Sequence, residues 1–333
     1  MESTSQKNIR PKRSWLSFSL RAMLVIVTLL CAVLGWIGRD IYQARIESDV
    51  AAKVEAVWGT VVYDYQLATF EEARQSYPGV YGGPTAPPTS PQPPWLDRQL
   101  GFPVQARIVR IEFEHRSRYE NYGGMLAPIP VPKDIPAKLV PDLLQLPRLE
   151  QITFNFGELN DESFELLSQM PALKELWLSG SIKPANVRAL SKARKLESFY
   201  LLCLNCDDRL LNELAKLPAL KSLDCSGENI TGDGIASLGQ CTQLESMRLR
   251  NISRLTDEDF RPMASLKQLQ SLQIDHCRIT ARSYPTFSQL PKLETLLINT
   301  IPTSYPLFNK PSSFQSLAEM QAEYEDPMPR INF

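Results

Sequence analysis

The chain has 333 residues, enough for two or three ordinary domains or for one extended array. Its 36 basic and 37 acidic residues leave a formal net charge of −1, so no overall positive field attracts nucleic acid. The only histidines are His115 and His276, and the sequence contains no P-loop, nucleophile-elbow or zincin motif. These observations disfavour an enzyme. We expect no catalytic residues, no metal site, no cofactor, no nucleic acid partner and no small-molecule substrate.

An apolar run near the N-terminus predicts a membrane anchor. Residues 1–21 form a basic leader, and residues 22–38 form the predicted transmembrane helix, uncharged from 22 to 37. A cleaved signal peptide is the alternative, although no A-x-A-like cleavage site follows the run. Because five basic residues precede the span, the positive-inside rule predicts a single-pass topology with a cytoplasmic N-terminus and a non-cytoplasmic main domain. Those residues are Lys7, Arg10, Lys12, Arg13 and Arg21.

Two segments of contrasting composition follow the predicted span. Residues 39–66 predict a linker helix and then a short strand, which the run TVVYDYQ at 60–66 indicates. Residues 67–107 predict a proline-rich loop region, because residues 78–94 alone contain seven prolines. The linker helix has one apolar stripe, which consists of Ile46, Val50, Val54 and Val57.

Self-similarity dominates the second half of the chain. Seven units each open on a leucine that begins an L-x-x-L-x-L-like frame, and successive opening leucines are 23 to 25 residues apart. In this frame the fourth and sixth residues share one face of a strand, and two apolar residues three apart in the spacer share one face of a helix. A single unit cannot bury enough surface, so the units are expected to stack into a continuous core. The opening leucines are Leu149, Leu173, Leu196, Leu220, Leu244, Leu269 and Leu293.

Residues 108–300 resemble the leucine-rich-repeat family, and particularly its cysteine-containing subtype, which has an I-T-D element before the helix. That element takes forms such as ITGD at 230–233 and LTD at 255–257. The leader, apolar run and linker helix together resemble those of bacterial single-pass membrane-anchored proteins that carry such repeats. The resemblance implies an α/β fold: a leucine-rich-repeat solenoid with parallel strands on one side, helices on the other, and an N-terminal transmembrane helix.

Both ends of the array predict capping units, since an open solenoid end exposes core. A degenerate unit precedes the seven regular ones and is separated from them by an insertion near 114–134. Its strand frame consists of Ile108, Ile111 and Phe113. Residues 301–333 form the predicted C-terminal cap and tail, in which 313–325 predict a helix over the last strand. One face of that helix carries Phe314, Leu317 and Tyr324.

The cysteines of the repeat region do not form a ligand pattern. Cys203 and Cys206 make a C-x-x-C, which invites a zinc or redox site. However, the five cysteines occupy five different positions of the repeat, so stacking does not bring them together. We interpret them as small buried hydrophobic residues, with a disulfide or a metal site as the alternatives. The remaining three are Cys225, Cys241 and Cys277.

Acidic residues recur in the I-T-D element at the start of the predicted helices. Their ordinary role is to cap the helix N-terminus, where a carboxylate accepts hydrogen bonds from unpaired backbone N–H groups. Calcium binding is the alternative. The residues in this column are Asp161, Asp208, Asp233 and Asp257.

The outward face of the strand ladder is the predicted binding surface. Small hydroxyl side chains dominate the third position of the frame, which leaves a shallow trough flanked by larger groups at the fifth and seventh positions. Aromatic and arginine side chains, the types enriched in binding hot spots, are among those larger groups. A solvated face, or one covered by the proline-rich or 114–134 segment, is the alternative. The candidate binding residues are Trp177, Tyr200, Asp224, Arg248, Arg250 and Asp275.

These features together predict a membrane-tethered leucine-rich-repeat binding module. It would present the strand-lined face to an unidentified protein partner on the non-cytoplasmic side. The alternative is a structural or self-associating envelope protein, also without enzymatic activity.

Overall fold

A computed structural model describes the fold of ten segments of the chain. They are residues 20–57, 59–67, 94–100, 105–113, 119–122, 125–128, 135–155, 158–202, 206–300 and 314–325. The strands are β1 Thr60–Tyr63, β2 Ile108–Phe113, β3 Tyr119–Tyr122, β4 Met125–Pro128, β5 Gln151–Phe154, β6 Glu175–Ser179, β7 Ser198–Leu202, β8 Ser222–Ser226, β9 Ser246–Arg250, β10 Ser271–Cys277 and β11 Thr295–Thr300. The helices are α1 Leu20–Ala56, α2 Trp95–Leu100, α3 Ile135–Leu143, α4 Asp161–Leu167, α5 Pro184–Leu190, α6 Asp208–Leu214, α7 Gly232–Leu238, α8 Tyr284–Phe287 and α9 Leu317–Glu325. Short 3-10 helices cover Asp64–Gln66, Asp257–Ser265 and Ala281–Ser283.

One sheet of nine strands, counted over the described segments, runs through the molecule in the order β1-β2-β5-β6-β7-β8-β9-β10-β11. All neighbours from β2 to β11 are parallel, whereas β1 pairs with β2 in antiparallel orientation. The pairing register aligns the third position of every unit, so the predicted repeat frame is confirmed. That column runs Gln151, Glu175, Ser198, Ser222, Ser246, Ser271 and Thr295.

The core lies between the sheet and the row of short helices. The fourth and sixth frame residues of the seven units are all buried. Each of the six spacers between the units has two apolar positions on its helix, and these twelve residues are also buried except Tyr284, which is half-buried. The fifth spacer forms a 3-10 helix, because Pro262 lies inside it and cannot donate a backbone hydrogen bond. Gly239 in the preceding unit is required here, since a Cβ atom would lie 2.8 Å from the Pro262 carbonyl oxygen.

The first helix, α1, continues without a break from Leu20 to Ala56 and is about 55 Å long. The sequence predicted an anchor and a separate linker helix, but a single glycine such as Gly38 costs only about 1 kcal/mol in a helix, so it does not end one. The two halves differ in their surroundings. Side chains from Met23 to Ile37 are exposed, whereas Val50 and Val54 are buried in the core.

The two ends of the array are built differently from the regular units. At the N-terminal end the degenerate unit is confirmed, because β2 pairs in parallel with β5 and its three frame residues are buried. The predicted insertion contains an antiparallel hairpin of β3 and β4. At the C-terminal end, Phe314 is buried through an antiparallel bridge to Ile298. The cap helix α9 buries Met320 and packs Leu317 against the core, and Tyr324, although 45% exposed, places its ring 5.5 Å from that of Tyr284.

The prediction that the I-T-D acids cap their own helices is wrong. The caps that accept a backbone hydrogen bond are the preceding residues, such as Asn160, Asp207 and Thr231. Three of the four acids join neighbouring units instead: Asp208 accepts the Thr231 amide at 2.8 Å and its hydroxyl at 2.6 Å. Being one residue inside the helix, the carboxylate points to the next unit and not along its own axis. Asp257 makes the same pair of bonds to Thr280, and Asp161 accepts Asn186 and Lys183.

Four of the repeat-region cysteines are buried free thiols: Cys206, Cys225, Cys241 and Cys277. Burial raises the pKa of Cys241 and of Cys277 to about 11, which disfavours the thiolate that a ligand or nucleophile requires. The interpretation as small buried hydrophobic residues is confirmed for these four, while Cys203 lies outside the described residues. Within the described segments, no group of three or more His, Cys, Asp or Glu side chains could hold a metal ion.

Candidate functional site

An aromatic pair marks the outward face of β6 and β7. Trp177 and Tyr200 are partners in the strand register, and their rings stack with centroids 3.8 Å apart and planes inclined by 10°. The Trp177 indole N–H donates to the Glu175 carboxylate on the same strand. The hydroxyl oxygens of Tyr200 and Ser222 lie 3.4 Å apart. These contacts hold two half-exposed rings in fixed positions, so the pair forms a flat platform.

Two crossed ion pairs continue this face over β8, β9 and β10. In the strand register Arg248 lies beside Asp224, and Arg250 lies beside both Asp275 and Ser226. The ion pairs nevertheless form along the diagonals. Arg250 donates to Asp224 at 3.0 and 2.8 Å, and Arg248 donates to Asp275 at 3.1 and 3.0 Å. The four side chains therefore form one interlocked quartet across three strands.

The two acids of this quartet have opposite pKa shifts. Burial raises the pKa of Asp224, and Arg250 offsets that effect only in part. Burial also opposes ionisation of Asp275, but hydrogen bonds from Asn299, Arg248 and Gln273 outweigh it and hold the pKa of Asp275 below its ordinary value. The Asn299 amide donates to Asp275 at 2.6 Å. The difference follows from the number of donors, because Asp275 accepts from three side chains.

Solvent reaches this face unevenly. The Arg248 side chain is 37% exposed, while that of Arg250 is 14% exposed. At the N-terminal end, the outward side chains of β2 and β5 are buried, namely Arg110, Glu112, Gln151 and Thr153. The accessible part of the face therefore begins at β6. The two segments that could cover the face, the proline-rich stretch and most of 114–134, lie largely outside the described residues.

The structure brings all six predicted site residues onto one continuous surface. It also adds three polar residues that the prediction did not select: Glu175, Gln273 and Asn299. Their frame positions identified them as outward-facing, but only the side-chain hydrogen bonds show that they hold the predicted residues in place: Glu175 and Gln273 bind within their own strands, and Asn299 binds its register partner Asp275. His276 does not contribute to this surface. His276 is exposed just after it, with a positive φ of 58°, and His115 lies outside the described residues.

Comparison with known proteins gives two similar solved structures. No protein-family model and no curated protein matches the chain. A structure described as a TLR13–ssRNA13 complex is 25% identical with a TM-score of 0.34, and the match covers 44% of this chain and 22% of that one. An internalin, InlF from Listeria monocytogenes, is 17% identical with a TM-score of 0.28, and the match covers 46% of this chain and 55% of that one. The chain thus spans less than two thirds of either protein.

The register of the chain's own sheet decides its architecture. Seven units repeat one strand frame and pair in parallel with their frame positions aligned, apart from a register shift at the end of β10. Each of the six spacers between them returns the chain through a short helical segment on the opposite side. The fold is a leucine-rich-repeat solenoid. In this solenoid the aromatic pair and the ion-pair quartet occupy the strand-lined side, and the helices form the other side.

One described helix of this repeat protein, Arg21–Ala56, is long and apolar enough to cross a membrane, with a mean hydropathy of 2.1 over its most apolar window. That window is not covered by any part of the protein. A signal sequence near the N-terminus meets the same criteria of length and composition.

Proposed function

We propose that this leucine-rich-repeat protein is a membrane-tethered binding module without enzymatic activity. Its accessible outward face, from β6 to β10, receives a protein partner on the non-cytoplasmic side of the membrane. The observation that carries the proposal is the fixed platform of Trp177 and Tyr200 beside the partly exposed Arg248. Aromatic and arginine side chains dominate binding energy at interfaces, and groups held in place before binding lose little entropy on association.

The tether is supported by where the exposed apolar side chains lie. Among the described residues, all large apolar side chains that are exposed belong to the stretch from Met23 to Ile37, except Tyr42, Trp95 and Tyr324. In water such a surface would be costly, since burial of apolar area is worth roughly 25 cal/mol per Å². A bilayer covers it, and the basic leader directs the repeats to the non-cytoplasmic side.

The binding face is tested by photo-crosslinking of the full chain in its native membrane. A photoreactive phenylalanine replaces Ser246, which is half-buried on the outward side of β9, or Lys192 on the helix side as the control. We expect a discrete adduct with a second protein from position 246 and none from position 192. The double variant Trp177→Ala/Arg248→Ala should reduce that adduct at least tenfold, while Lys174→Ala should leave it unchanged.

The outcomes separate the alternatives. An adduct of twice the chain mass would indicate self-association and favour a structural envelope protein. Adducts from position 192 alone would place the binding surface on the helices and contradict the proposal. Retention of the position 246 adduct in the double variant would show that the aromatic pair and Arg248 do not contribute.

A further inference from the structure

The repeat domain begins to pack against α1 directly after the apolar stretch. Ile37 is still 41% exposed, Asp40 is half-buried, and Ala44 is completely buried. The seven helical steps from Ile37 to Ala44 advance the helix by about 10 Å. No flexible linker separates these positions, because all of them belong to one helix. The end of the solenoid is therefore close to wherever the apolar stretch ends.

A second helix, α2, is fixed to this same end. Arg107 reaches Asp40 at 3.7 Å and Glu47 at 3.8 Å, so it lies against the first two turns of α1 beyond the apolar stretch. The two residues before Arg107 donate their amides to Asp97 of α2, from Gln105 at 2.7 Å and from Ala106 at 3.0 Å. Both residues and Asp97 are therefore held beside the stretch of α1 between Asp40 and Glu47.

Trp95, two residues before Asp97, is 65% exposed. Of the three large exposed apolar side chains outside the apolar stretch, Trp95 and Tyr42 belong to this end, and only Tyr324 lies at the other. Arg98 is exposed on the same helix as Trp95, and Arg39 is exposed on α1 at the end of the apolar stretch. An indole ring beside cationic side chains matches the headgroup layer of a bilayer, where tryptophan places its apolar body near the hydrocarbon and its N–H near water.

We propose that Trp95 inserts into the headgroup layer of the leaflet from which α1 emerges. The solenoid then contacts the membrane at two points, through α1 and through α2, and its orientation relative to the bilayer is restricted. The proposal rests on the proposed membrane anchor. A lipid surface is favoured over a protein because the exposed ring belongs to the end of the solenoid that packs on α1, the helix whose uncovered apolar residues continue into the bilayer.

The experiment uses the full chain in nanodiscs that contain phosphatidylcholine and phosphatidylglycerol. A photoreactive phenylalanine replaces Trp95, Trp36 or Tyr324 in separate variants, and mass spectrometry detects lipid adducts after illumination. Position 36 lies within the apolar stretch and reports the anchor, while position 324 is an exposed aromatic site at the far end of the solenoid. We expect lipid adducts from positions 36 and 95, and at least tenfold fewer from position 324.

Lipid adducts from position 36 but not from 95 would overturn this inference and leave the anchor in place. An absence of adducts from both would instead contradict the anchor itself. Adducts from position 95 to a second protein chain would also overturn the inference. As a second measurement, brominated lipids should quench the tryptophan fluorescence of the unaltered chain more than that of Trp95→Phe; equal quenching would contradict the insertion of Trp95.

Discussion

The N-terminal end of the solenoid and its central repeats are stabilised by different kinds of contact. In the central units, buried apolar side chains stack in register from one strand to the next, as Leu176, Phe199 and Leu223 do. At the N-terminal end, the buried carboxylate of Glu47 accepts the Ile108 amide at 3.0 Å. The repeats thus use interchangeable apolar contacts, whereas the end depends on individual polar groups.

The difference shows what ends a repeat array. An interior unit buries its two flanks against copies of itself, so one apolar frame suffices for all units. The first unit has no preceding copy, and α1 and β1 cover it instead. Their backbone groups do not match the repeat, so side chains such as Glu47 and Asp64 provide acceptors for Ile108 and Arg107. We therefore expect a substitution in the repeats to affect folding widely and one at the N-terminal end to act locally.

The largest effect is expected from Phe199→Ala in β7. Phe199 is fully buried, and its loss should lower the free energy of unfolding by about 3–5 kcal/mol through lost burial and a cavity. Denaturant titration of the full chain in detergent measures this change. The neighbouring Tyr200→Ala is the control, because the ring is on the outward face and its stacking contributes about 1 kcal/mol. Equal losses in the two variants would contradict the assignment of inward and outward faces.

An intermediate and local effect is expected from Glu47→Leu. The change removes the acceptor of the buried Ile108 amide, which costs about 1–3 kcal/mol. Hydrogen exchange should become faster in β1 and β2, while exchange in β8 should be unchanged. Faster exchange along the whole sheet would show that the N-terminal end and the repeats unfold as one unit.

The variant Glu47→Gln serves as the matched control, since an amide oxygen can still accept from Ile108. Burial raises the pKa of Glu47, although hydrogen bonds from Ile108 and Gln43 and the charges of Arg107 and Arg148 partly counter it. The folded protein therefore retains the proton to higher pH than the unfolded chain does. The stability of the wild-type end should fall as the pH rises from 4.5 through that raised pKa, and Glu47→Gln should lack this fall.

The smallest effect is expected from Asp208→Ala on the helix side. Loss of its two hydrogen bonds to Thr231 should cost about 1 kcal/mol and speed hydrogen exchange of the Thr231 amide. The control is Asp233→Ala, which removes an acid from the same column without an inter-unit bond among the described residues. If both variants behave alike, the acids would act only through helix capping or the helix dipole.

Much of the fold was predictable because the repeat is a local pattern. The opening leucines, the two apolar spacer residues and the degenerate unit were all located from the sequence, and every strand from β5 to β11 follows the predicted frame. The predictions were wrong where a side chain could bind either its own helix or the neighbouring unit. Asp208 could cap its own helix or bind the next unit, and spacing does not distinguish the two. At the C-terminal cap, the prediction did not select Met320, which lies on the same face as Leu317 and Tyr324 and is fully buried.

In the candidate site, too, the positions of the residues could be predicted from the sequence but their contacts could not. Its six residues could be selected from frame positions alone, because alternation along a strand determines which side chains point outward. Their partners could not be selected, since Arg248 and Arg250 each lie within reach of an acid directly opposite and one along the diagonal. The choice depends on the rotamers and on the Asn299 and Gln273 amides around Asp275.

The sequence by itself determined the periodic apolar core, the outward face and the apolar N-terminal stretch, because each is a one-dimensional pattern of hydrophobicity. Only the tertiary structure decided that α1 is one helix packed on the first unit, that the acids of the helix side join neighbouring units, and that the ion pairs cross. These features depend on distances between side chains of different units. Such distances arise only after the units have stacked.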